Sequence, residues 1–228
     1  MEFLERFKRF WYGESQYLER ERERHRKILE LKKNQILLTT VVIGISSSGN
    51  NIVNSLQKIE PKLRSVSVYR NEPIAKPILA EKEIVVENSL SSENIDELRN
   101  AIVNATKVYI ITGLGGVIGS ALLTPVAEAI HNTGVETKLI VTRPFMFEGP
   151  KRRERADEAM KKAVSIGACD SLLIANNDSL IDHTPKDTPM HEAFKVINNN
   201  IHDYIVYGLP CNDLFFCEEL NYRKTVEF

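Results

Sequence analysis

Ile110-Ile111-Thr112-Gly113-Leu114-Gly115-Gly116-Val117-Ile118-Gly119-Ser120 runs from β-formers through a glycine-rich turn into an apolar segment with helical spacing. Glycines let a backbone approach a ligand closely, and amides at a helix start attract anions, so the position suits phosphate. Val117 and Ile118 put stiff branched side chains where such a loop wants small ones.

Working outward, a second turn of the same kind lies nearer the amino terminus. Ile36 to Ile43 is almost continuously apolar and β-branched, the pattern of a strand buried on both faces of a parallel sheet. It leads into Gly44-Ile45-Ser46-Ser47-Ser48-Gly49-Asn50-Asn51 and then the helical spacing of Ile52, Val53 and Leu56. Further strands are predicted at Ser65 to Tyr69, Glu83 to Glu87, Lys107 to Thr112, Thr137 to Thr142 and Ser171 to Ala175. Helices are predicted at Asn50 to Lys58, Glu93 to Asn104, Ser120 to Asn132, Lys151 to Ile166 and Pro189 to Tyr207. Alternation of this kind gives an α/β fold, a Rossmann-like parallel sheet covered by helices on both faces, with ligands at the carboxyl ends of the strands. The expected organisation is a helical extension over 1–34, the α/β domain over 35–209 and a short tail over 210–228.

The extension has two parts. Phe3, Leu4, Phe7, Phe10 and Trp11 share one helical face, with Glu5, Arg6, Lys8 and Arg9 on the other. That face docks on its own domain, pairs with a partner, or lies in a membrane interface. Gly13 interrupts the pattern and Glu14-Ser15-Gln16-Tyr17 reads as a break; a helix from about Tyr17 to Lys33 then carries Glu19/Arg22, Glu21/Arg24 and Glu23/Arg26 pairs three residues apart, which suits a solvated strut.

With Lys+Arg 30 against Asp+Glu 31, the formal charge is -1, and the balance gives no case for nucleic-acid binding. Cys169, Cys211 and Cys217 make neither a disulfide framework nor a closed zinc site, which points to a reducing cytoplasm and incidental thiols. His183, His191 and His202 show no metal-ligand pattern and read as surface or helix residues. No run of roughly 20 apolar residues suggests a membrane span.

Taken together, the two loops and their flanks resemble the nucleotide-binding half of FtsZ, in the tubulin/FtsZ superfamily. Gly44 to Asn51 resembles its first phosphate loop, and Gly113 to Ser120, followed by Pro125-Val126-Ala127-Glu128, resembles its signature loop. Val141-Thr142-Arg143-Pro144-Phe145-Met146-Phe147-Glu148-Gly149 with Lys151-Arg152-Arg153 is the most specific segment. Asn176-Asn177-Asp178-Ser179-Leu180 and Ala193-Phe194-Lys195-Val196-Ile197-Asn198-Asn199 extend the likeness, which covers about Ile36 to Leu209.

The resemblance implies that Gly44, Ser46, Ser47, Gly49, Gly115, Gly116 and Gly119 line the phosphates of GTP or GDP. It implies that Asn51 approaches guanine, that Phe194 stacks on the base and Asn198 hydrogen-bonds it, and that Glu148 and Arg152 hold the ribose and phosphate side. Phe194 on its own also reads as a core position of a long helix. Against triphosphate binding, the family has Gly and Thr where Val117 and Ile118 stand and another Gly at Ala121. Branched residues resist positive φ and fill space that phosphate oxygens need. Glu83 to Asn94 passes from strand to helix without the glycine-rich loop that the family sets near the γ-phosphate, and Asp213, Glu218 and Glu219 lack the spacing of its hydrolytic aspartates.

These features lead to the expectation of a non-catalytic FtsZ-like accessory or scaffold factor in cell division or cytoskeletal assembly. It would be cytoplasmic or peripheral at the inner face of the cell membrane, attached through the aromatic helix. Its partner would be an FtsZ-type protein or a second copy of itself. The alternative is a guanine-nucleotide-binding GTPase that assembles with itself or with a full-length FtsZ partner.

Overall fold

The computed structural model describes residues 14–71, 77–185, 187–208 and 217–221, with backbone alone at 14–17, 182–183 and 217–221. The chain divides into two compact units, Met1–Ile36 and Leu37–Phe228.

The described part of the first unit is helical and belongs to α1 (Glu14–Thr39), whose last residues enter the second. Its charged stretch is exposed, with ion pairs such as Lys27 to Glu23 at 2.9 Å and Arg24 to Glu21 at 3.7 Å. Pairs of this spacing support a solvated helix without burying it. The break expected over Glu14 to Tyr17 is not seen, since the helix already runs from Glu14, while Gly13 and the aromatic face of Phe3 to Trp11 lie outside the described residues.

The second unit is built on a seven-stranded sheet in the order β3-β2-β1-β4-β5-β6-β7. The strands are β1 (Thr40–Ile45), β2 (Arg64–Arg70), β3 (Lys82–Val86), β4 (Lys107–Gly113), β5 (Glu136–Arg143), β6 (Ser171–Asn176) and β7 (Cys217–Asn221). The first six are parallel, as the alternating pattern predicts, and β7 is antiparallel to β6. Every residue of β1 is buried, which accounts for its lack of polar alternation.

The helices are α2 (Ser46–Ile59), α3 (Ser92–Ala101), α4 (Val117–His131), α5 (Pro150–Ser165), α6 (Asp178–His183) and α7 (Met190–Tyr207). One core joins α3, α4 and α5 to one face of the sheet through Leu98, Leu123, Ile130 and Ala159. The other joins α2 and α7 to the opposite face through Val53, Leu56, Ile197 and Ile201. Both faces are therefore dry.

Two expectations need correction. The strand expected from Ile36 begins at Thr40, because Ile36 to Thr39 continue α1, with Leu37 buried and Leu38 71% exposed. Neighbouring side chains of such unequal burial fit a helix packed on one side. The segment expected to be a tail contains β7, whose register sets Glu219 opposite Leu173.

Because β1 to β6 are parallel, their carboxyl ends share one edge. Register places Ile45 beside Thr112, Gly113 beside Thr142, and Arg143 beside Asn176. The chain crosses from β3 back past β1 to β4, so the sheet order reverses between β1 and β4. A crevice opens at that point in folds of this kind.

Candidate functional site

The turns after β1 and β4 meet at the reversal point. Helix α2 starts at Ser46 directly after β1, and Ser46 takes φ 63°, a left-handed conformation that costs a non-glycine residue about 1–2 kcal/mol. Gly49 lies against β4: a Cβ there would stand 2.3 Å from the Ile111 carbonyl oxygen. Gly44, at the end of β1, is similarly hemmed in by Asn50 and Val53. Ser47 is exposed at the helix start.

Serine hydroxyls tie the two turns together. Ser48 Oγ accepts from Gly113 N at 3.0 Å, and Ser48 Oγ lies 3.3 Å from Gly113 O and 3.1 Å from Ser46 Oγ. Thr112 Oγ1 donates to Ile45 O at 3.2 Å, joining the strand ends beneath. A Cβ on Gly119 would lie 3.0 Å from Ser46 Oγ, so the start of α4 closes on the first turn.

In the second turn Gly115 has φ +89°, and its N–H donates to Ser120 Oγ at 3.1 Å. Gly116 precedes α4 with φ −73° and supplies no side-chain cap. The first helical bond of α4 runs from Ser120 N to Gly116 O at 3.2 Å. Among the described residues, the amides of Gly116, Val117, Ile118 and Gly119 therefore meet no acceptor. Successive amides without an acceptor at a helix start are an arrangement that suits an anion.

The objection raised by Val117 and Ile118 is weaker than the sequence suggests. Both residues lie in the first turn of α4, and neither has positive φ; among the described non-glycine residues only Ser46 and Asn104 do. The turn places its one positive φ at Gly115 instead. Ile118 packs on the core, and Val117 is 63% exposed.

The residues expected on the base side, Asn51, Phe194 and Asn198, lie on α2 and α7. Ser55 Oγ donates to Asn51 O at 3.0 Å and accepts from Asn198 Nδ2 at 3.0 Å, so Ser55 links the two expected residues. Phe194 lies one turn before Asn198, half-buried on the core and edge-on to Phe145 at 6.1 Å. Phe147 is 69% exposed and stacked on Phe145 at 4.8 Å, and it offers an open aromatic face that the sequence reading missed.

Glu148 and Arg152 do come together, and they hold each other. One Glu148 oxygen accepts from Phe145 N at 2.9 Å and the other meets Arg152 Nη1 at 2.8 Å. Asp178, also missed, accepts from Met146 N at 2.7 Å and from Arg153 Nη1 at 2.9 Å. Arg143 Nη2 donates to Asp157 at 2.8 Å. These carboxylates brace the loop after β5, and each already has a cationic partner. Asp213 lies outside the described residues, and Glu218 and Glu219 fall in β7.

Elsewhere, Cys169 is buried, and burial followed by the neighbouring Asp170 pushes its thiol up to about 11. His202 is buried on α7, with Nδ1 2.9 Å from Asp203. Among the described residues no cluster of His, Cys, Asp and Glu could hold a metal, and no helix is long and apolar enough to cross a membrane. A depression of about 380 Å³ between Ile102, Val103 and Thr133 lies at the opposite edge of the sheet, away from the loops.

A family model described as the Tubulin/FtsZ family, GTPase domain, matches residues 79–185. The structure is similar to FtsZ of M. jannaschii (W319Y mutant), with a TM-score of 0.61 and 23% identity over 80% of this chain and 59% of that one. It is also similar to CetZ2 from Haloferax volcanii, solved as a GTPγS-bound protofilament, at 0.58 and 18% over 75% of this chain and 59% of that one. TubZ of Clostridium botulinum phage c-st matches at 0.60 and 13% over 73% and 59%. The chain thus spans about six-tenths of the length of each of these proteins. It carries the fold of these tubulin/FtsZ-type structures, and the match to that family's GTPase-domain model is confined to residues 79–185.

Proposed function

We propose that the protein is an FtsZ-type cytoskeletal factor that holds a guanine nucleotide between its two phosphate loops, lacks hydrolysis of its own, and works by assembly. The run of free amides from Gly116 to Gly119, facing a first loop tied to it through Ser48, is the observation that carries the reading. Support for a non-catalytic role comes from Glu148, Asp157 and Asp178, each engaged by an arginine and so poorly placed to activate water. Support for assembly comes from exposed Val117, Met146, Phe147 and Ile181 on the loop edge, and from related proteins solved as a dimer and as a protofilament. The partner in this reading is a second copy or an FtsZ-type protein, with the segment from Phe3 to Trp11 as the membrane attachment.

Denaturing extraction followed by titration with GDP and GTP tests the site directly; failure to bind either one sinks the reading. Phosphate release with and without an FtsZ-type partner separates it from the GTPase alternative. For attachment, liposome co-sedimentation of the whole chain is compared with a chain lacking the residues before Gly13. Equal sedimentation removes the membrane from the proposal.

A further inference from the structure

The second phosphate loop is held from behind. Arg155 Nη1, from the second turn of α5, donates to the Gly115 carbonyl at 2.7 Å. Gly115 is turned to φ +89°, and a Cβ there would meet Arg152 O at 2.9 Å and Pro144 Cγ at 3.0 Å, so its peptide lies directly against α5. In a trans peptide the carbonyl and the following N–H point in opposite directions, and no cis bond occurs among the described residues. Holding Gly115 O toward α5 therefore turns Gly116 N–H away from α5, where it leads the row of free amides.

The neighbouring cations do not share this task. Arg152 and Arg153 are committed to Glu148 and Asp178, and Arg143 to Asp157. The first turn of α5 carries Lys151, Arg152 and Arg153 and no acid, an arrangement that opposes the helix dipole. Arg155 is the member of the group directed at the loop backbone. A charged donor on a carbonyl makes a stronger bond than a neutral one, which fits a fixed peptide plane better than a mobile one.

We infer that Arg155 is a positioning residue for phosphate recognition: by fixing the Gly115–Gly116 peptide it aims Gly116 N–H at the ligand anion. The inference rests on the nucleotide reading of the site. Arg155→Met keeps the aliphatic stem and removes the donor; Arg155→Lys keeps a shorter donor.

Calorimetric titration with GDP and with guanosine, together with ligand-free crystal structures of both variants, tests it. Arg155→Met is expected to weaken GDP about 10- to 100-fold, the range of one charge-assisted hydrogen bond, and to leave guanosine unchanged. Arg155→Lys recovers part of the loss, and the Gly115–Gly116 peptide is rotated in Arg155→Met. Equal losses for GDP and guanosine indicate general loosening and overturn the inference, as does unchanged GDP affinity. If the wild-type protein binds neither ligand, the nucleotide reading fails separately, and an unmoved peptide in the Arg155→Met crystal overturns the role of Arg155.

Discussion

Gly49→Ala is the most direct test of how tightly α2 is set against the sheet. The new Cβ would start 2.3 Å from Ile111 O and 3.2 Å from Ile111 C, where ordinary contact begins at 3.4 Å. Relief requires about 1 Å of movement. The obstacle is the backbone of β4, hydrogen-bonded between β1 and β5, so no flexible side chain can swing aside. Overpacking of this kind costs about 1–3 kcal/mol, and a rigid neighbour puts the site at the top of that range. Alanine in a helix returns about 1 kcal/mol relative to glycine. The expected net loss is about 2 kcal/mol, or a melting temperature lower by about 4–8 °C in a domain of this size. Urea unfolding followed by circular dichroism reads it as a lower midpoint at unchanged slope. The matched control is Gly116→Ala, where φ is −73° and nothing lies within 4 Å of the new Cβ. It removes a favoured N-cap glycine without any overlap, so it should cost about 0.5–1 kcal/mol, clearly less than Gly49→Ala. A Gly49→Ala protein as stable as Gly116→Ala would refute the reasoning.

Three further outcomes are expected. The Glu83 hydrogen bond, at 2.5 Å, raises the Tyr69 phenol from 10.0 to about 12, so its stabilising effect is full below pH 10 and lost as pH climbs through 12. Tyr69→Phe should flatten stability against pH in that window, and an unchanged profile removes the assignment. Cys169, buried with its thiol pushed up to about 11, should resist alkylation at pH 8 in the native protein and react in urea, as read by peptide mass spectrometry; rapid native labelling contradicts the burial. Val117→Asp, at a 63% exposed position, should leave the unfolding midpoint unchanged and lower the mass of any self-assembled species in solution. An assembly mass that survives the added charge places the contact elsewhere.

Strand β1 was legible because its buried, β-branched run contains almost no polar residue to confuse the period. The same property hid the end of α1. Ile36 to Thr39 is as apolar as the strand it precedes, and periodicity cannot divide two states within one short apolar run. Strand β7 was hidden for the opposite reason: Cys217-Glu218-Glu219-Leu220-Asn221 is poor in β-formers, and its place depends on pairing with β6, which lies far back in the chain. At the site, the glycine positions were readable as a turn. The commitments of Ser48, Ser55, Arg155 and Asp178 were not, since each depends on a partner that only the folded sheet brings near.

The hydroxyl ties between the two turns also order events in time. Thr112 and Ile45 are separated by 67 positions, and Ser48 and Gly113 by 65, so neither tie can form until distant strands have paired. Contacts that close such long loops cost entropy before they return any stability. The proposed anion site is then a late product of folding, and on that proposal a ligand seated in it acts on the finished molecule. Its stabilisation should appear in the unfolding rate and leave the refolding rate nearly untouched.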